Sequence, residues 1–325
     1  MSNVGIVATG SFVPGKILTN AELERMVDTS DEWIVTRTGI KERRIAEKHE
    51  RTSFLASQSA KDALSRSSVK AEDVELIVVA TTTPDSPFPS VACLVQKEIG
   101  AKKAAAFDVS AACSGFLFAL TTAKQYIQTG LYKNALVIAA EKFTSFIDWN
   151  DRNTCVLFGD GAGACLLAPV EDGKGILSDC LFSQGEQAEL MSVIVQDREP
   201  LDQQNTMMRI PYVEMRGQEL FKMAVTSMAE IGTRAVQKAG VAIEDIDCVV
   251  PHQANDRIIS AVAKKMGIPK EKFYINIHRY GNMSAASLVV ALHEAIEEKV
   301  IKEGSTALFA AFGAGLVSAA NVVQF

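Results

Sequence analysis

Three side chains in the 325-residue sequence are of the types that perform nucleophilic catalysis together: Cys113, His252 and Asn282. Cys113 lies between a strand-like run that ends near Val109 and an almost wholly apolar, helix-like stretch that begins at Ser114. The unpaired N–H groups and positive dipole end of a buried helix depress the pKa of a thiol, which favours the nucleophilic thiolate. The sequence therefore predicts a reactive cysteine at this position, with an ordinary buried core cysteine as the alternative.

His252 and Asn282 each follow a strand-like segment. His252 comes directly after the apolar run Cys248–Val250, and the carboxyl ends of parallel strands are where the sites of α/β proteins lie. Asn282 follows Gly281, a neighbour that is typical of a plain turn. A structural histidine and a turn asparagine stay open as alternatives when each segment is considered alone.

Short apolar runs alternate with helical patterns along the chain, which is typical of an α/β fold with parallel sheets. The stretch Ser183–Tyr212 has the least pattern and is rich in Gln, Asp and Glu, so we expect a long excursion over the surface there. The predicted strands are Leu76–Ala80, Ala135–Ala140 and Cys248–Val250. The predicted helices are Thr52–Ser65, Ser114–Thr129, Met215–Ala239, Asp256–Gly267 and Ala285–Lys299.

Three strand-like segments recur in the same order in the second half of the chain, at offsets of 172, 172 and 168 residues. The matching pairs are Glu72–Val78 with Glu244–Val250, Ala135–Val137 with Ala307–Phe309, and Phe107–Val109 with Ile275–Ile277. This repeat predicts a duplicated αβ unit, with an N-terminal half at 1–174 and a C-terminal half at 175–325. It also places Cys113, His252 and Asn282 in equivalent loops of the two halves, so the three groups could meet where the halves join.

The composition excludes several classes of protein. With 48% hydrophobic and 22% charged residues the chain has a globular composition, and its apolar runs are shorter than the ~20 residues of a membrane span. The six cysteines include no C-x-x-C pair, so we expect free thiols, no metal site and a cytoplasmic location. A net charge of −6 argues against nucleic acid as the main partner.

Two glycine-containing segments and one basic surface have more than one interpretation. Gly159–Gly163 lacks the spacing of a nucleotide-binding loop, so close backbone packing is the better interpretation. The turn Phe312–Gly315 could offer backbone N–H groups to an oxyanion. A basic helix face formed by Arg257, Lys264 and Lys265 is either simply solvated or a docking site for an acidic partner.

Five motifs recur together in one known family: Thr29–Ile34 with Arg37–Ile40, Ala111–Gly115, Phe158–Ala164, His252–Asn255 and Tyr280–Asn282. On these motifs the chain resembles, nearly end to end, the β-ketoacyl-acyl-carrier-protein synthase III family, the condensing enzymes that start bacterial type II fatty acid synthesis. The resemblance implies a thiolase-like α/β fold, a duplicated αβ unit in five layers (αβαβα), usually as a homodimer. It also implies acyl-CoA and malonyl-acyl-carrier protein as substrates, without a cofactor, a metal, a nucleic acid or a membrane.

The resemblance further implies roles for particular residues. Cys113 corresponds to the nucleophile that accepts the acyl group, and His252 and Asn282 correspond to the pair that hydrogen-bonds the malonyl thioester oxygen. The oxyanion at the acyl-Cys carbonyl would meet the backbone N–H groups of Cys113 and Ala314. The other implied contacts are CoA binding by Thr29, Trp33, Arg37, Arg152 and Asn255, carrier-protein binding by Gln253 and Arg257, and an acyl-pocket limit at Phe88 that would suit a short starter such as acetyl-CoA.

The sequence departs from the family pattern near the predicted site, which leaves the preferred acyl chain length open. The departures are Met283 in place of Thr, Val289 in place of Pro, Ala314 in place of Gly, and Val317–Ala319 in place of Thr-Trp-Gly. Two other functions stay open at this point. One is a related condensing enzyme of a specialised pathway, with another starter or with malonyl-CoA, and the other is a Cys-His-Asn thioester hydrolase.

Overall fold

The computed structural model describes residues 3–193 and 212–325, which form two main β-sheets and the helices packed on them. The strands are β1 (Asn3–Phe12), β2 (Ile17–Thr19), β3 (Glu42–Arg44), β4 (Leu76–Ala80), β5 (Ala105–Val109), β6 (Ala135–Lys142), β7 (Asp160–Val170), β8 (Gly175–Ser183), β9 (Met191–Val193), β10 (Val213–Met215), β11 (Cys248–Pro251), β12 (Thr306–Gly313) and β13 (Val317–Gln324). The helices are α1 (Asn20–Leu23), α2 (Asp31–Thr38), α3 (Thr52–Ser65), α4 (Val91–Ile99), α5 (Gly115–Gln128), α6 (Gly217–Ala239), α7 (Asp256–Met266), α8 (Ile277–Tyr280) and α9 (Ala286–Glu297).

The two main sheets have corresponding strand orders. The first sheet runs β1-β7-β6-β4-β5, and the second runs β8-β13-β12-β11. The parallel pairs are β4 with β5 and β6 in the first sheet, and β11 with β12 in the second. The sheets are therefore mixed rather than parallel as predicted, because no crossover helix separates β6 from β7 or β12 from β13.

The position that would continue the second sheet beyond β11 is not a strand. The repeat predicts one at Ile275–Ile277, but there the second half makes only an isolated parallel bridge between Val249 and Phe273. The N–H of Asn276 donates instead to Gln253 Oε1 at 3.1 Å. This part of the repeat prediction is wrong, because a side-chain amide takes the hydrogen bond that a neighbouring strand would otherwise accept.

The helices and sheets stack in five layers. Helices α3 and α4 cover the outer face of the first sheet, α5 and α9 lie between the two sheets, and α6 and α7 cover the outer face of the second. Strand β4 is buried at all five positions, which explains its unbroken apolar sequence. Helix α5 is buried over most of its surface, as its apolar sequence predicts. Within the described ranges, every helix is too short or too polar to span a bilayer.

Several predicted elements are confirmed, two of them with their predicted bounds: β4 and α3. Helix α6 begins two residues later than predicted, because Val213–Met215 pairs with Met191–Val193 in a small two-stranded sheet. The predicted surface excursion over Ser183–Tyr212 falls mostly on residues 194–211, which lie outside the described residues. Its first part forms the end of β8, a short 3₁₀ helix at Gly185–Leu190 and β9.

Backbone conformation at two equivalent positions follows the repeat. Ala112 and Ser284 have positive φ values of 44° and 48°, and they are 172 residues apart, which is the main offset of the sequence repeat. Each stands just before a central helix, α5 or α9. The predicted boundary between the halves, at 174 and 175, falls between β7 and β8 and stays a prediction.

Candidate active site

Cys113 lies in a tight turn at the start of the central helix α5. A short 3₁₀ helix, Ala112–Ser114, leads into α5, and the positive φ of Ala112 costs a non-glycine residue about 1–2 kcal/mol. A Cβ on Gly115 would lie 3.2 Å from the Cβ of Ala80, so the helix start packs closely on the end of β4. This turn holds the thiol in an enclosed position, where Cys113 is 5% exposed.

The turn between β12 and β13 packs directly against the backbone of Cys113. A Cβ on Gly313 would lie 2.7 Å from Cys113 N, so the approach requires glycine. Ser114 Oγ donates to Val317 O at 3.1 Å and ties the two segments together. Ala314, the residue after Gly313, lines the same cavity as Cys113. The two N–H groups predicted to hold an oxyanion therefore belong to segments that are in contact.

The backbone of Asn282 is held by the segment that leads into β7. Asn282 N donates to Leu157 O at 2.8 Å, and Asn282 O accepts from Gly159 N at 3.0 Å. A Cβ on Gly159 would collide with the carbonyl oxygen of Tyr280, two residues before Asn282. Because Gly159 has no side chain, the backbone of the Asn282 loop can pack directly against the segment that leads into β7.

The side-chain amide of Asn282 is oriented by Ser284. Asn282 Oδ1 accepts from Ser284 N at 2.8 Å, which leaves Nδ2 as the donor that this amide can offer to a ligand. Ser284 lines the cavity of Cys113, so the amide stands beside that cavity. This arrangement is the first link between the N-terminal turn around Cys113 and the C-terminal loop around Asn282.

His252 follows the end of β11 and is held against β12. Its backbone N–H donates to Ala310 O at 2.8 Å. The centroid of its imidazole ring lies 6.4 Å from that of Phe312, the residue before Gly313. Burial lowers the pKa of His252 to about 3, so the imidazole is neutral. Among the described residues its Nδ1 has no hydrogen-bond partner. An unpaired buried acceptor is better tolerated than an unpaired donor, which favours a proton on Nε2.

The pKa of the Cys113 thiol is raised, not depressed. Burial raises it to about 12, and the charge of Glu141 acts in the same direction, while a hydrogen bond from Ser284 opposes both. The predicted low pKa is therefore wrong for this enclosed site, because desolvation of the thiolate outweighs the effect of the helix N-terminus. A thiol in this state needs a group that takes its proton as it attacks.

Glu141 is a residue of the site that the sequence reasoning missed. It stands at the end of β6, is fully buried, and accepts hydrogen bonds from Thr82, Thr83 and Ser284. Burial raises its pKa to about 7. A signal was present in the sequence, since an acidic residue directly follows the apolar run Ala135–Ala140 at the carboxyl end of a predicted strand.

A cavity of about 280 Å³ opens above Cys113. Its lining combines the reactive turn with apolar side chains from the β6–β7 connection and from β9 and β10. The residues that line it are Thr82, Ala112, Cys113, Phe143, Phe146, Met191, Ser192, Val193, Val213, Ser284 and Ala314. His252 and Asn282 lie beside this cavity, next to Phe312 and Ser284, rather than in its wall.

A second cavity, of about 570 Å³, shares Val213 with the first and contains two of the predicted CoA contacts, Trp33 and Arg37. The guanidinium groups of Arg37 and Arg152 lie over the Trp33 ring, 4.9 and 5.1 Å from its centroid. Thr29, in the same region, has a buried hydroxyl that lacks a partner in the described part of the chain. An aromatic ring with two cations at a groove is suited to stacking on a base and holding phosphates.

Two family sequence models match the chain. The model described as 3-oxoacyl-[acyl-carrier-protein (ACP)] synthase III matches residues 107–185, and the one for the synthase III C terminal matches residues 236–325. The beta-ketoacyl-[acyl-carrier-protein] synthase III of Caldanaerobacter subterraneus subsp. tengcongensis is 49% identical over 322 residues, which cover 99% of this chain and 97% of that protein. The chain belongs to the β-ketoacyl-acyl-carrier-protein synthase III family.

Solved structures agree with this assignment. The 3-oxoacyl-[acyl-carrier-protein] synthase III of Aquifex aeolicus is 48% identical, with a TM-score of 0.92, and the match covers 99% of this chain and 100% of that one. The priming β-ketosynthase of the R1128 polyketide biosynthetic pathway is 32% identical, with a TM-score of 0.93 over 99% and 96% of the two chains. The predicted thiolase-like fold is confirmed, and as a synthase III the chain is an acyl-transferring condensing enzyme of fatty acid synthesis.

Two of the departures from the synthase III pattern pack against the glycines of β7. A Cβ on Gly161 would lie 2.6 Å from Met283 Sδ, and one on Gly163 would lie 2.5 Å from Val289 Cγ1. The prediction that Gly159–Gly163 serves close backbone packing is thereby confirmed. Met283 and Val289 fill the space that these glycines leave, so both departures are accommodated beneath the site rather than in the cavity wall.

The two predicted carrier contacts of this synthase III differ in accessibility. Gln253 is fully buried, and its amide bonds to Pro251 O, Tyr274 O and Asn276 N at 2.9, 3.1 and 3.1 Å. The amide of Gln253 supports the loop after β11 in this structure, and its contact with a carrier protein stays a prediction. Arg257 is exposed in the first turn of α7 and remains available for docking.

Asn255 connects this docking helix to the groove that contains Trp33. Its Oδ1 accepts from Arg257 N at 2.8 Å, which caps α7, and its Nδ2 donates to Arg37 O at 3.0 Å. Both polar atoms of the Asn255 side chain therefore have structural partners, and its contact with CoA stays a prediction. The cap places the basic start of α7 next to the mouth of the groove.

Phe88, the predicted limit of the acyl pocket, is 84% exposed and does not line the cavity of its own chain. It stands between two prolines at the tip of a loop. Within a single chain Phe88 therefore does not limit the acyl group. In the ranges that the structure describes, no cluster of three or more His, Cys, Asp or Glu side chains is arranged to hold a metal ion.

Proposed function

We propose that this synthase III condenses a short acyl-CoA, with acetyl-CoA as the expected starter, with malonyl-acyl-carrier protein. The observation that carries the proposal is the enclosed thiol of Cys113, whose backbone N packs against the Gly313 turn beside the loops of His252 and Asn282. These groups supply what a decarboxylative condensation needs: a nucleophile, an oxyanion site and two neutral donors.

In the first half-reaction the sulfur of Cys113 attacks the thioester carbonyl of the acyl-CoA. The carbonyl oxygen becomes an oxyanion that meets the N–H groups of Cys113 and Ala314. Collapse of the tetrahedral intermediate breaks the bond to the CoA sulfur and leaves an acyl group on Cys113. The thiol proton ends on the departing CoA thiolate, so no net charge remains.

In the second half-reaction the malonyl group loses CO₂, and the electron pair of the broken C–C bond forms an enolate. His252 Nε2–H and Asn282 Nδ2–H donate to the thioester oxygen as it gains charge. The enolate carbon then attacks the acyl-Cys carbonyl and expels the sulfur of Cys113 as a thiolate, which takes one proton from solvent. Both donors are neutral, so they stabilise the enolate without giving up a proton.

Substrate binding would divide between two surfaces. Trp33, Arg37 and Arg152 would hold the adenine and phosphates of CoA in the larger cavity, and Thr29 would offer its unpaired hydroxyl. Arg257 would dock the acidic carrier protein at the mouth of that groove. We place the enzyme in the cytoplasm and expect it to need neither a cofactor nor a metal.

A homodimer would give Phe88 a place in the reaction. Its exposed ring cannot limit the acyl pocket of its own chain, but a second subunit could receive it at the cavity above Cys113. Burial of such a ring in an interface is favourable by about 2–3 kcal/mol. In this proposal, Phe88 can restrict the enzyme to a short starter only if the enzyme is a dimer.

A specialised condensing enzyme is the second candidate. Similarity of fold does not separate the two functions, since the Aquifex aeolicus synthase and the R1128 priming ketosynthase have TM-scores of 0.92 and 0.93. Sequence identity does separate them, at 48% against 32%, and it favours fatty acid synthesis.

The test incubates the purified protein with radiolabelled acetyl-CoA and then adds malonyl-acyl-carrier protein. We expect label on Cys113, located by peptide mapping, and then acetoacetyl-carrier as the product. Cys113→Ala should carry no label. Free acetate released at a rate that is independent of the malonyl carrier would instead identify a hydrolase, and label transfer only to malonyl-CoA would identify the specialised enzyme.

A further inference from the structure

Glu141 is a buried carboxylate that forms no ion pair with any of the residues that the structure describes. It is fully buried at the carboxyl end of β6, and within the described part of the chain its hydrogen-bond donors all belong to neutral residues. The donors are Thr81 Oγ1, Thr82 N, Thr82 Oγ1, Thr83 Oγ1 and Ser284 Oγ. Burial of a carboxylate that has no partner of opposite charge is strongly unfavourable, because the charge loses its hydration. A group that destabilises the fold and lies near the nucleophile is a candidate for a functional role.

Ser284 connects this carboxylate to the nucleophile. Its hydroxyl donates to Glu141 Oε1 at 3.2 Å, and it also faces the sulfur of Cys113 in the same cavity. A serine hydroxyl has one proton and two lone pairs, so it can accept from the thiol while it donates to the carboxylate. Ser284 thus contacts the carboxylate directly and lines the cavity of the thiol, which places its hydroxyl between the two groups.

The backbone fixes the middle of this path. Ser284 has a φ of 48°, and its N–H is held by Asn282 Oδ1 at 2.8 Å. A strained conformation of a non-glycine residue is kept where the surroundings determine it, and such residues cluster at active sites. These constraints hold the backbone of Ser284 and so limit where its hydroxyl can lie between Cys113 and Glu141.

We propose that Glu141 takes the proton of the Cys113 thiol through the hydroxyl of Ser284 during acyl transfer, and returns it by the same path to the departing CoA thiolate. The S–H bond breaks as a new Oγ–H bond forms on Ser284, while the original Oγ–H proton passes to Glu141 Oε1. The negative charge moves from the carboxylate to the sulfur, and the site never holds two charges. This proposal rests on the proposed function, since it concerns the first half-reaction.

Electrostatics favour this transfer over loss of the proton to water. An ionised Glu141 raises the pKa of the Cys113 thiol, so the two groups resist simultaneous ionisation. Burial raises the pKa of Glu141 itself to about 7, which brings the carboxylate closer to the thiol in basicity. Glu141 acts only through Ser284, so it is a positioning residue and Cys113 is the catalytic one.

The other ionisable groups around Glu141 are engaged elsewhere. Lys142, the next residue in β6, directs its ammonium to the backbone oxygens of Glu47 and Glu50. Asp160, at the start of β7, accepts from Ala46 N, Thr144 N and Thr144 Oγ1. His252, which follows β11, is neutral because burial lowers its pKa to about 3. Burial also raises the pKa of Asp160, to about 6, so a pH dependence near 7 in acyl transfer is assigned to Glu141 only where Asp160→Asn keeps it.

The experiment measures single-turnover acetylation of Cys113 by acetyl-CoA, without malonyl carrier, from pH 5.5 to 9. The wild-type rate should rise through an apparent pKa near 7 and then level off, because the carboxylate must be ionised to accept a proton. The acetylation rate of Glu141→Gln should be about 100-fold below the wild-type plateau, and it should keep rising with pH. Glu141→Asp should recover the plateau in part.

Two further variants test the path and the fold. Ser284→Ala should resemble Glu141→Gln, and the double variant should be no slower than either single one, because the two residues act as one unit. Asp160→Asn is the matched control, a second buried carboxyl at the start of the neighbouring strand β7, and it should keep the wild-type pH profile. Alkylation of Cys113 by iodoacetamide, followed by peptide mapping, gives the same comparison without acyl-CoA.

The outcomes separate this proposal from the function on which it rests. If wild-type protein is not acetylated on Cys113, the proposed function fails. If it is acetylated but Glu141→Gln keeps both the plateau rate and the pH profile, the relay is wrong and the function stands. A double variant that is far slower than either single variant would also overturn the relay.

Discussion

At the scale of single residues, burial sets the protonation of the site. It keeps Cys113 protonated, with a pKa near 12, and His252 neutral, with a pKa near 3, while Glu141 titrates near 7. A neutral histidine and an asparagine amide suit a site where an enolate must be stabilised but not protonated. The same burial means that ionised Glu141 lowers the free energy of unfolding, and this effect can be measured.

Glu141→Gln should make stability less dependent on pH. The folded pKa of Glu141 is raised from 4.5 to about 7, so its contribution falls as pH rises through this window and stays low above it. Relative to the variant, the wild type should lose roughly 2 kcal/mol of unfolding free energy between pH 5 and pH 8. Urea unfolding of both proteins at the two pH values measures this difference.

Only the difference between the two proteins is informative here, since Asp160 and other groups titrate in both. The variant must also bind acyl-CoA, which shows that its site is folded. A wild-type minus variant difference that is equal at pH 5 and pH 8 would mean that Glu141 is not shifted by burial.

The sequence predicts the roles of some residues of the site and not of others. Cys113 was suggested by its place between a strand and an apolar helix, whereas Glu141 and Ser284 follow from contacts between β6 and the loop before α9, which are 143 positions apart. Gln253 was assigned to a surface, because the pattern of polar residues after β11 does not reveal which side chain turns inward. The pKa of Cys113 could not be predicted either, since enclosure is a property of the whole cavity.

At the scale of elements, glycines just before and within β7 position the Asn282 loop, because they have no side chain. Gly159 receives the backbone of Tyr280, and Gly161 receives the sulfur of Met283. The sequence predicted close packing at these glycines, but not its target, because the partner loop is more than 100 residues away. The two contacts differ in kind: a backbone carbonyl cannot move aside alone, whereas a methionine side chain can change rotamer.

Gly159→Ala should therefore impair condensation more than acylation. The new Cβ would push Tyr280 O and shift Asn282, which removes a donor to the enolate, so we expect the condensation rate to fall about 100-fold. Acetylation of Cys113 should fall less than about 3-fold, because the Cys113 turn belongs to other elements. Separate single-turnover assays of the two half-reactions measure this split.

Gly161→Ala is the matched control for that split, since its Cβ would meet only the flexible end of Met283 closely. We expect it to retain most of the condensation rate. Equal losses in both half-reactions for Gly159→Ala would mean that the substitution disturbs the whole site and would contradict a specific role in holding Asn282.

Helix α7 offers a second test at this scale. Arg257→Glu should raise the KM for malonyl-acyl-carrier protein about 10-fold and leave the KM for acyl-CoA nearly unchanged, because a rim charge acts on encounter with an acidic partner. Lys264→Glu, about two turns further along the same helix, is the control of equal charge and should have a smaller effect. Steady-state kinetics at two salt concentrations measure both, and equal effects of the two variants would contradict a local docking site.

At the scale of the whole molecule, two related halves place their loops at one site. The matching sheet orders and the positive φ at Ala112 and Ser284 agree with the repeat in the sequence. The repeat predicted β4, β6, β11 and β12 in the right positions, because their apolar sequences reflect burial on both faces. It failed at Ile275–Ile277, where Gln253 binds the backbone of Asn276, a contact that no local pattern reveals.

The exposed Phe88 leads to a prediction about assembly. If a second subunit receives this ring at its acyl cavity, the residue at position 88 of one subunit should select the acyl group that is loaded on Cys113 of the other. We expect Phe88→Trp to reduce the use of longer acyl-CoA thioesters, since a larger ring leaves less space. The ratio of initial rates with isobutyryl-CoA and acetyl-CoA measures this selectivity.

Mixed dimers assign the effect to one subunit or the other. One subunit carries Cys113→Ala and Phe88→Trp, its partner is wild type, and different affinity tags isolate the mixed species. Only the wild-type subunit can be acylated, yet its cavity would receive the Trp of its partner, so selectivity should match that of the Phe88→Trp homodimer. Wild-type selectivity in this mixed species would mean that position 88 acts within its own chain or not at all, and an enzyme that is active as a monomer would remove the basis for the prediction.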